Sequence, residues 1–265
     1  MAEAEWAVVL GASSGFGAAT ARALARAGMH IVGVHLDTRA TLPNAERVRA
    51  DVEAQGRQAL FFNANAADPD KRREILDRVQ EVINSAADGG YVKVLLHSLA
   101  FGTLRPYIAA DPKEALTRSQ LEMTLDVMAN SLVYWVQDLF WRGLFRRGSK
   151  VFAMTSGGST RVIPYYGAVS AAKACLESHI RQLAFELAPA GVAVIGIRAG
   201  VTDTPALRKI PGHEQLIEQA LRRNPSGRLT EPEDVASAIV ALCHPGTYWI
   251  TGCVINVDGG EDIVG

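Results

Sequence analysis

Short apolar runs closed by turn residues recur along the chain, and longer stretches with apolar positions three and four apart lie between them. Residues 6–10 form the first run, which breaks at Gly11; residues 18–27 then carry the alanine-rich pattern of a helix lying on a sheet and stop at Gly28. Residues 30–36 predict a second strand, 44–55 a helix, 58–62 a third strand and 69–85 a helix. Residues 91–96 are again apolar and too short for an independent helix. The second half repeats the pattern. A long helix is predicted from a polar opening near Asp111 up to about Phe145, then a strand at 150–154, a helix from about Tyr166 to Leu187 and a strand at 192–197. A helical flap at about 205–223, a helix at 231–242 and a last strand at 253–257 complete it. Strands alternating with helices imply a parallel sheet covered on both faces, so the prediction is one doubly wound α/β sheet of seven strands.

Composition narrows this picture. The 265 residues show no repeat, low-complexity run or Pro/Gly/Ser-rich linker, which favours a single domain over 1–265. Twenty-seven basic residues face 28 acidic ones, and no basic block interleaves with aromatics, which argues against a nucleic-acid partner. The opening Met1-Ala2-Glu3-Ala4-Glu5 is acidic where a secretory signal is basic, and no apolar run reaches the roughly 18 residues of a membrane span. Three cysteines without a Cys-x-x-Cys pair fit buried thiols in a reducing cytoplasm. The six histidines are dispersed, and no metal site is expected.

Two motifs carry chemistry. Gly11-Ala-Ser-Ser-Gly15-Phe16-Gly17 joins the first strand to the first helix, where glycines permit a tight turn and the helix N-terminus offers free N–H groups to a pyrophosphate. In Pro164-Tyr165-Tyr166-Gly-Ala-Val-Ser-Ala-Ala-Lys173, Tyr166 and Lys173 stand seven residues apart. At about 100° per residue, seven steps return a helical side chain to within roughly 20° of the same face, whereas Tyr165 lies about 80° off it. A lysine cation beside a phenol lowers the tyrosine pKa, which would suit Tyr166 to proton donation or oxyanion binding. Taken alone, the segment also fits two aromatics packing at a helix entrance beside a surface lysine.

The glycine spacing resembles the short-chain dehydrogenase/reductase family, in which this loop holds a nicotinamide dinucleotide. Asn65-Ala66 matches the family's adenine contact, residues 250–260 look like its closing strand and turn, and Met154-Thr155-Ser156 sits where the family places its active-site serine. The family's ketone reductases carry a tyrosine thirteen residues beyond that serine and four before the lysine; here that place is Val169. The bacterial enoyl-acyl carrier protein reductases instead carry it seven before the lysine, as Tyr166 stands to Lys173. Leu96-His97-Ser98-Leu99-Ala100-Phe101-Gly102 resembles their loop after the fourth strand, and Ile197-Arg-Ala-Gly200-Val201-Thr-Asp-Thr204 their nicotinamide loop. Thr103-Leu-Arg-Pro106 and Asn224-Pro-Ser-Gly-Arg-Leu229 look most like the NADPH-using branch. Several enoyl reductases have a second tyrosine where this chain has Ser156.

The resemblance implies a Rossmann-type fold and a set of roles. Tyr166, Lys173 and Ser156 become catalytic candidates; Gly11, Ser13, Ser14, Gly15, Phe16, Gly17, Asn65, Ala66, Ser98, Leu99, Ala100, Lys173, Gly200, Val201 and Thr204 cofactor contacts; and Phe101, Tyr165 and Leu207 the substrate wall. At the end of the second strand an acid would bind the ribose 2′-hydroxyl of NAD; the counted position is His35, with Asp37 two residues on and Arg39 able to meet a 2′-phosphate. NADP(H) is favoured, with NAD(H) the alternative. The implied reaction is NADPH-dependent reduction of the double bond of a trans-2-enoyl thioester carried on acyl carrier protein or coenzyme A. A carbonyl (3-ketoacyl) reductase and a non-catalytic dinucleotide-binding protein are the alternatives. The region 111–120 is expected to form a mobile wall of the site. Relatives pair the apolar helix before Phe145 and the helix after Tyr166 across a two-fold axis, which implies a cytoplasmic homodimer or homotetramer.

Overall fold

The computed structural model describes residues 3–85 and 89–264; Met1-Ala2, read above against a secretory signal, lies outside them. Strands β1 (Ala4–Leu10), β2 (His30–His35), β3 (Ala59–Asn63), β4 (Gly90–His97), β5 (Lys150–Thr155), β6 (Ala193–Ala199) and β7 (Val254–Val257) form one sheet in the order β3-β2-β1-β4-β5-β6-β7. Every pairing is parallel. The seven-stranded doubly wound sheet predicted from the alternation is present. Successive strand residues point to opposite faces, so β1 sends Trp6, Val8 and Leu10 into one core and Ala7 and Val9 into the other. Helices α1 (Gly15–Arg26), α2 (Leu42–Glu53) and α8 (Pro232–Leu242) cover the second face. The first face carries α3 (Pro69–Ser85), α5 (Ser131–Trp141) and α6 (Gly167–Leu187). Strand order reverses between β1 and β4, which opens the crevice where ligands settle in such sheets.

The region 111–145 differs from the single long helix expected. Asp111 caps a short 3₁₀ turn at Pro112–Glu114, and α4 (Arg118–Leu125) starts only at Thr117, whose hydroxyl and the Gln120 side chain form a reciprocal capping box. A π-helical turn at Asp126–Asn130 then separates α4 from α5. Helix α5 ends at Trp141 because Gly143, at φ +65°, closes a Schellman turn: Leu144 N–H donates to Leu139 O at 3.0 Å and Gly143 N–H to Phe140 O at 2.9 Å. The expected flap is likewise divided into a 3₁₀ turn at Leu207–Lys209 and α7 (His213–Arg223), parted by Pro211-Gly212. The thiols also differ from expectation, since Cys243 is buried, Cys175 half-buried and Cys253 exposed. No described helix is long and apolar enough to cross a membrane.

Gly17, in the first turn of α1, fixes how closely that helix approaches β1. A Cβ there would fall inside the van der Waals radius of the Gly11 carbonyl oxygen, a backbone atom that cannot swing aside. Gly17→Ala is therefore expected to cost about 1–3 kcal/mol by overpacking. Urea unfolding measures this, and an unchanged midpoint would show that the helix is free to shift.

Candidate active site

Each sequence motif falls at the carboxyl end of a strand: Gly11 after β1, His35 ending β2, Asn65 after β3, Ser98 after β4, Ser156 after β5 and Gly200 after β6. The loop from Gly11 to Gly17 runs from β1 into α1. Ser14 occupies the N-cap of α1 without spending its side chain on a cap, and no acid lies in the first turn. Those free N–H groups fit a phosphate. A cleft of about 320 Å³ opens beside them, bounded by Ser13, Ser14, Gly15, Asn44, Arg47 and Thr204. Asn44 and Arg47 come from α2 and had no signal in the sequence beyond being polar.

Not every expected cofactor contact is free. His35 is buried, with Nδ1 2.8 Å from Asp37 Oδ2 and its ring tilted beside Phe61 at 6.2 Å between centroids, so it faces inward rather than into the crevice. The Asp37 carboxylate is folded back onto it and only 9% exposed, while Arg39 is exposed. The N–H of Val201, expected to meet a carboxamide, donates to Glu261 Oε2 at 3.0 Å. Thr204 is buried and its Oγ accepts from Leu207 N–H at 3.2 Å, which leaves the hydroxyl proton to donate toward the crevice. Asn65 Oδ1 accepts from Ala67 N–H at 3.0 Å, and the Ala66 carbonyl accepts from the buried Trp135 indole at 2.8 Å, which pins this loop. Glu261 follows the Gly-Gly turn, and nothing in the sequence marks it.

Lys173 is buried in α6. Its Nζ donates to Met154 O at 2.7 Å and, more weakly, to Leu99 O at 3.5 Å, which joins α6 to the ends of β5 and β4. Burial lowers its pKa to about 8, against the opposing pull of Glu177. Glu177 stands one turn further along α6, an i, i+4 relation the sequence does show.

Tyr166 precedes α6 as its N-cap rather than lying within it. Its ring rests on Gly158, where any Cβ would overlap the phenol, and its hydroxyl lies 3.4 Å from Ser156 Oγ. Ser156 in turn accepts from Gly158 N–H at 3.1 Å, and Ser170 Oγ donates to Gly158 O at 2.5 Å, so loop and helix hold one another. The expected lowering of the Tyr166 pKa is reversed: burial raises it, with the Ser156 contact acting the other way. Spacing brought the two residues to one side of the sheet but could not show that the lysine ammonium donates to the backbone carbonyl of Met154. Tyr165 is half-exposed at φ +64°, outside the helical register assumed for it, and Phe101 is also exposed. Leu207 is half-buried in the 3₁₀ turn after Thr204. Val169 is buried, and together with Met128 and Thr124 it closes on Gly102, leaving no hydroxyl at the ketone-reductase position.

A family model described as enoyl-(acyl carrier protein) reductase matches residues 11–261. The chain belongs to that family. It is a short-chain dehydrogenase/reductase and an NAD(P)H-dependent oxidoreductase. The NADH-linked enoyl-[acyl-carrier-protein] reductase of Aquifex aeolicus is 31% identical over 66% of this chain and 64% of its own length. Cis-4-hydroxycyclohexanecarboxylate dehydrogenase of Sinomonas cyclohexanicum is 31% identical over 97% of this chain and 96% of its own. A short-chain dehydrogenase from Burkholderia cenocepacia, solved in complex with NADP, superposes with a TM-score of 0.81 at 26% identity, over 98% of each chain.

The site makes a pH dependence that can be measured. A lysine with a folded pKa near 8 is an ammonium below that pH and neutral above it, whereas burial moves Tyr166 upward from the ordinary phenol range and away from this limb. The kcat/KM for the cofactor, which reports the cofactor-free protein, is expected to be level below pH 8 and to fall above it. A limb near pH 10 would mean that Lys173 is solvated.

Proposed function

We propose that the protein reduces the carbon–carbon double bond of a trans-2-enoyl thioester with NADPH. The observation that carries this is the placement of one hydroxyl pair, Tyr166 and Ser156, at the site. Tyr166, half-buried beside Ser156, stands before α6, and the helical position used by ketone reductases holds buried Val169. A bound nicotinamide supplies hydride to the β-carbon. Tyr166 donates its hydroxyl to the thioester oxygen as charge develops there, and its raised pKa keeps that proton available. Lys173 holds the cofactor ribose, Thr204 orients the carboxamide, and Ser156 positions Tyr166. Phe101, Tyr165 and Leu207 form the acyl wall, with acyl carrier protein or coenzyme A as the carrier.

NADPH is supported by the charges near the end of β2. The acid that would receive a ribose hydroxyl is turned onto His35, while Arg39 and Arg47 are exposed, Arg47 on the phosphate cleft. The Aquifex relative is named for NADH, so this choice rests on the side chains. Exposed Phe140, Trp141 and Phe185 on α5 and α6 support a homodimer or homotetramer.

Carbonyl reduction is the second reading, favoured by Ser156, because two hydroxyls 3.4 Å apart suit a single carbonyl oxygen. Crotonyl-coenzyme A and acetoacetyl-coenzyme A, followed by NADPH absorbance, separate the two. Turnover of the enoyl substrate is expected, with a fall of about 10² or more in Tyr166→Phe and little change in Tyr165→Phe. Turnover of acetoacetyl-coenzyme A alone would reject the proposal. For the cofactor, Arg39→Ala and Arg47→Ala are each expected to raise the KM for NADPH about tenfold, the scale of one charge-assisted hydrogen bond, and to leave NADH unaffected. Equal effects on both cofactors would remove the NADP assignment.

A further inference from the structure

His97 ends β4 with no exposed surface, directly under the candidate site, and none of the roles above uses it. Its Nε2 lies 2.9 Å from Ser131 Oγ. The Ser131 hydroxyl has a single proton, and it points to Val127 O at 2.8 Å, an atom that can only accept. Ser131 must therefore accept from the ring, which fixes His97 as the neutral Nε2–H tautomer. The lone pair on Nδ1 is thereby committed to accepting, and this atom is buried without a protein partner. Of the two anchors, Val127 lies within the π-helical turn at Asp126–Asn130 and Ser131 directly follows it, a distortion that recurs at functional sites.

Lys173 is the matching donor. Its ammonium has three N–H groups: Met154 O takes one at 2.7 Å, and the contact to Leu99 O, at 3.5 Å, is at the limit of a hydrogen bond and is given up, which leaves one N–H for a water and one for the ribose. Its charge reaches His97: desolvation first and then Lys173 lower the imidazole pKa to about 3, so the ring stays neutral at working pH. Of the charged and titratable groups on the elements packed here, Glu177 on α6 acts on Lys173, Arg198 of β6 pairs with Glu177 at 3.3 Å, Lys173 acts on His97 of β4, and Tyr166 stands at the head of α6. Glu177 is shared with Arg198 and Thr155, whereas His97 has an unshared lone pair.

We propose that His97 is a positioning residue whose Nδ1 accepts from the Lys173 ammonium through one bridging water, holding the lysine charged and aimed at the cofactor ribose. The proposal rests on the reading of Lys173 and Tyr166 as the working pair. A buried water with donors on one side and an acceptor on the other is a common way to satisfy such groups.

The test uses the full chain with NADPH. In long-range ¹H–¹⁵N spectra of the wild type, His97 is expected as the Nε2–H tautomer and neutral down to pH 5; an Nδ1–H signal would overturn the proposal whether or not any variant folds. His97→Leu removes the acceptor, and the alkaline limb of kcat/KM for NADPH is expected to move down by about one pH unit, the scale of one lost hydrogen bond to a charge. His97→Gln restores an acceptor and is expected to return the limb to within about 0.3 unit of the wild type. If His97→Leu lowers the melting temperature but leaves the limb in place, or if His97→Gln moves it as far as His97→Leu, His97 is only packing. Should His97→Leu not fold, Ser131→Ala decides, because releasing Nε2 must lower the limb and an unmoved limb overturns the role. Failure of the underlying catalytic reading is separate: it would appear as Lys173→Ala keeping wild-type turnover.

Discussion

A cation buried in the middle of a helix must find acceptors, and Lys173 finds them in the carbonyls that end two neighbouring strands. The 2.7 Å bond to Met154 O and the longer one to Leu99 O fix α6 against β5 and β4 at the edge of the sheet where the glycine loop also opens. Burial without these partners would cost several kcal/mol. Because the ammonium is committed in this way, the groups that remain around it can be assigned. Glu177 pulls against desolvation, His97 is kept neutral, and Tyr166 is left to titrate by its own burial.

The chain's last residues hold the other half of the site. Asp262 pairs with Arg161 at 2.8 Å and Arg198 at 3.4 Å, and Arg198 reaches both Glu177 and Ser159 at 3.3 Å. Arg198 and Glu177 are only 15% and 12% exposed, so salt screens this network less than a surface pair. It ties the loop after Ser156 to the tail and to α6, while Glu261 holds the turn at Val201. Half-burial raises the Glu261 carboxyl above its ordinary range, and its contact with Val201 N–H opposes that rise. The geometry of Ser156 and Tyr166 is thus set from two sides, by Gly158 beneath the ring and by the tail beyond the loop.

What the sequence displayed was what periodicity encodes. Central strands are apolar on both faces, so β1, β4, β5 and β6 were visible as short runs, and the glycine loop followed from its place between a strand and an alanine-rich helix. Region 111–145 reads as one helix because its apolar face continues through the π turn, while the signals that divide it are local: the Thr117–Gln120 box and the Schellman turn at Gly143. The hydrogen-bond partners of His35, Val201 and Tyr166, which are Asp37, Glu261 and Ser156, are set by side-chain direction and by contacts from distant segments, which spacing along the chain does not encode. Spacing gives a direction for the Tyr166–Lys173 interaction; only burial decides which way the phenol shifts.

The position of Tyr166 has a chemical rationale on the proposed reading. In a ketone the carbon that receives hydride is bonded to the oxygen that takes the charge, so one donor close to the cofactor serves both. In a 2-enoyl thioester the β-carbon receives hydride while charge collects on an oxygen three bonds away. The donor must therefore stand further from the ribose-binding lysine. Moving the tyrosine from four to seven residues before Lys173 shifts it by three residues, about 4.5 Å along a helix axis, and takes it just off the start of α6. Val169 fills the vacated place with a side chain that cannot donate, packed against Gly102 and Met128. A phenol raised by burial is then the right acid, since it holds its proton until an enolate oxygen forms beside it.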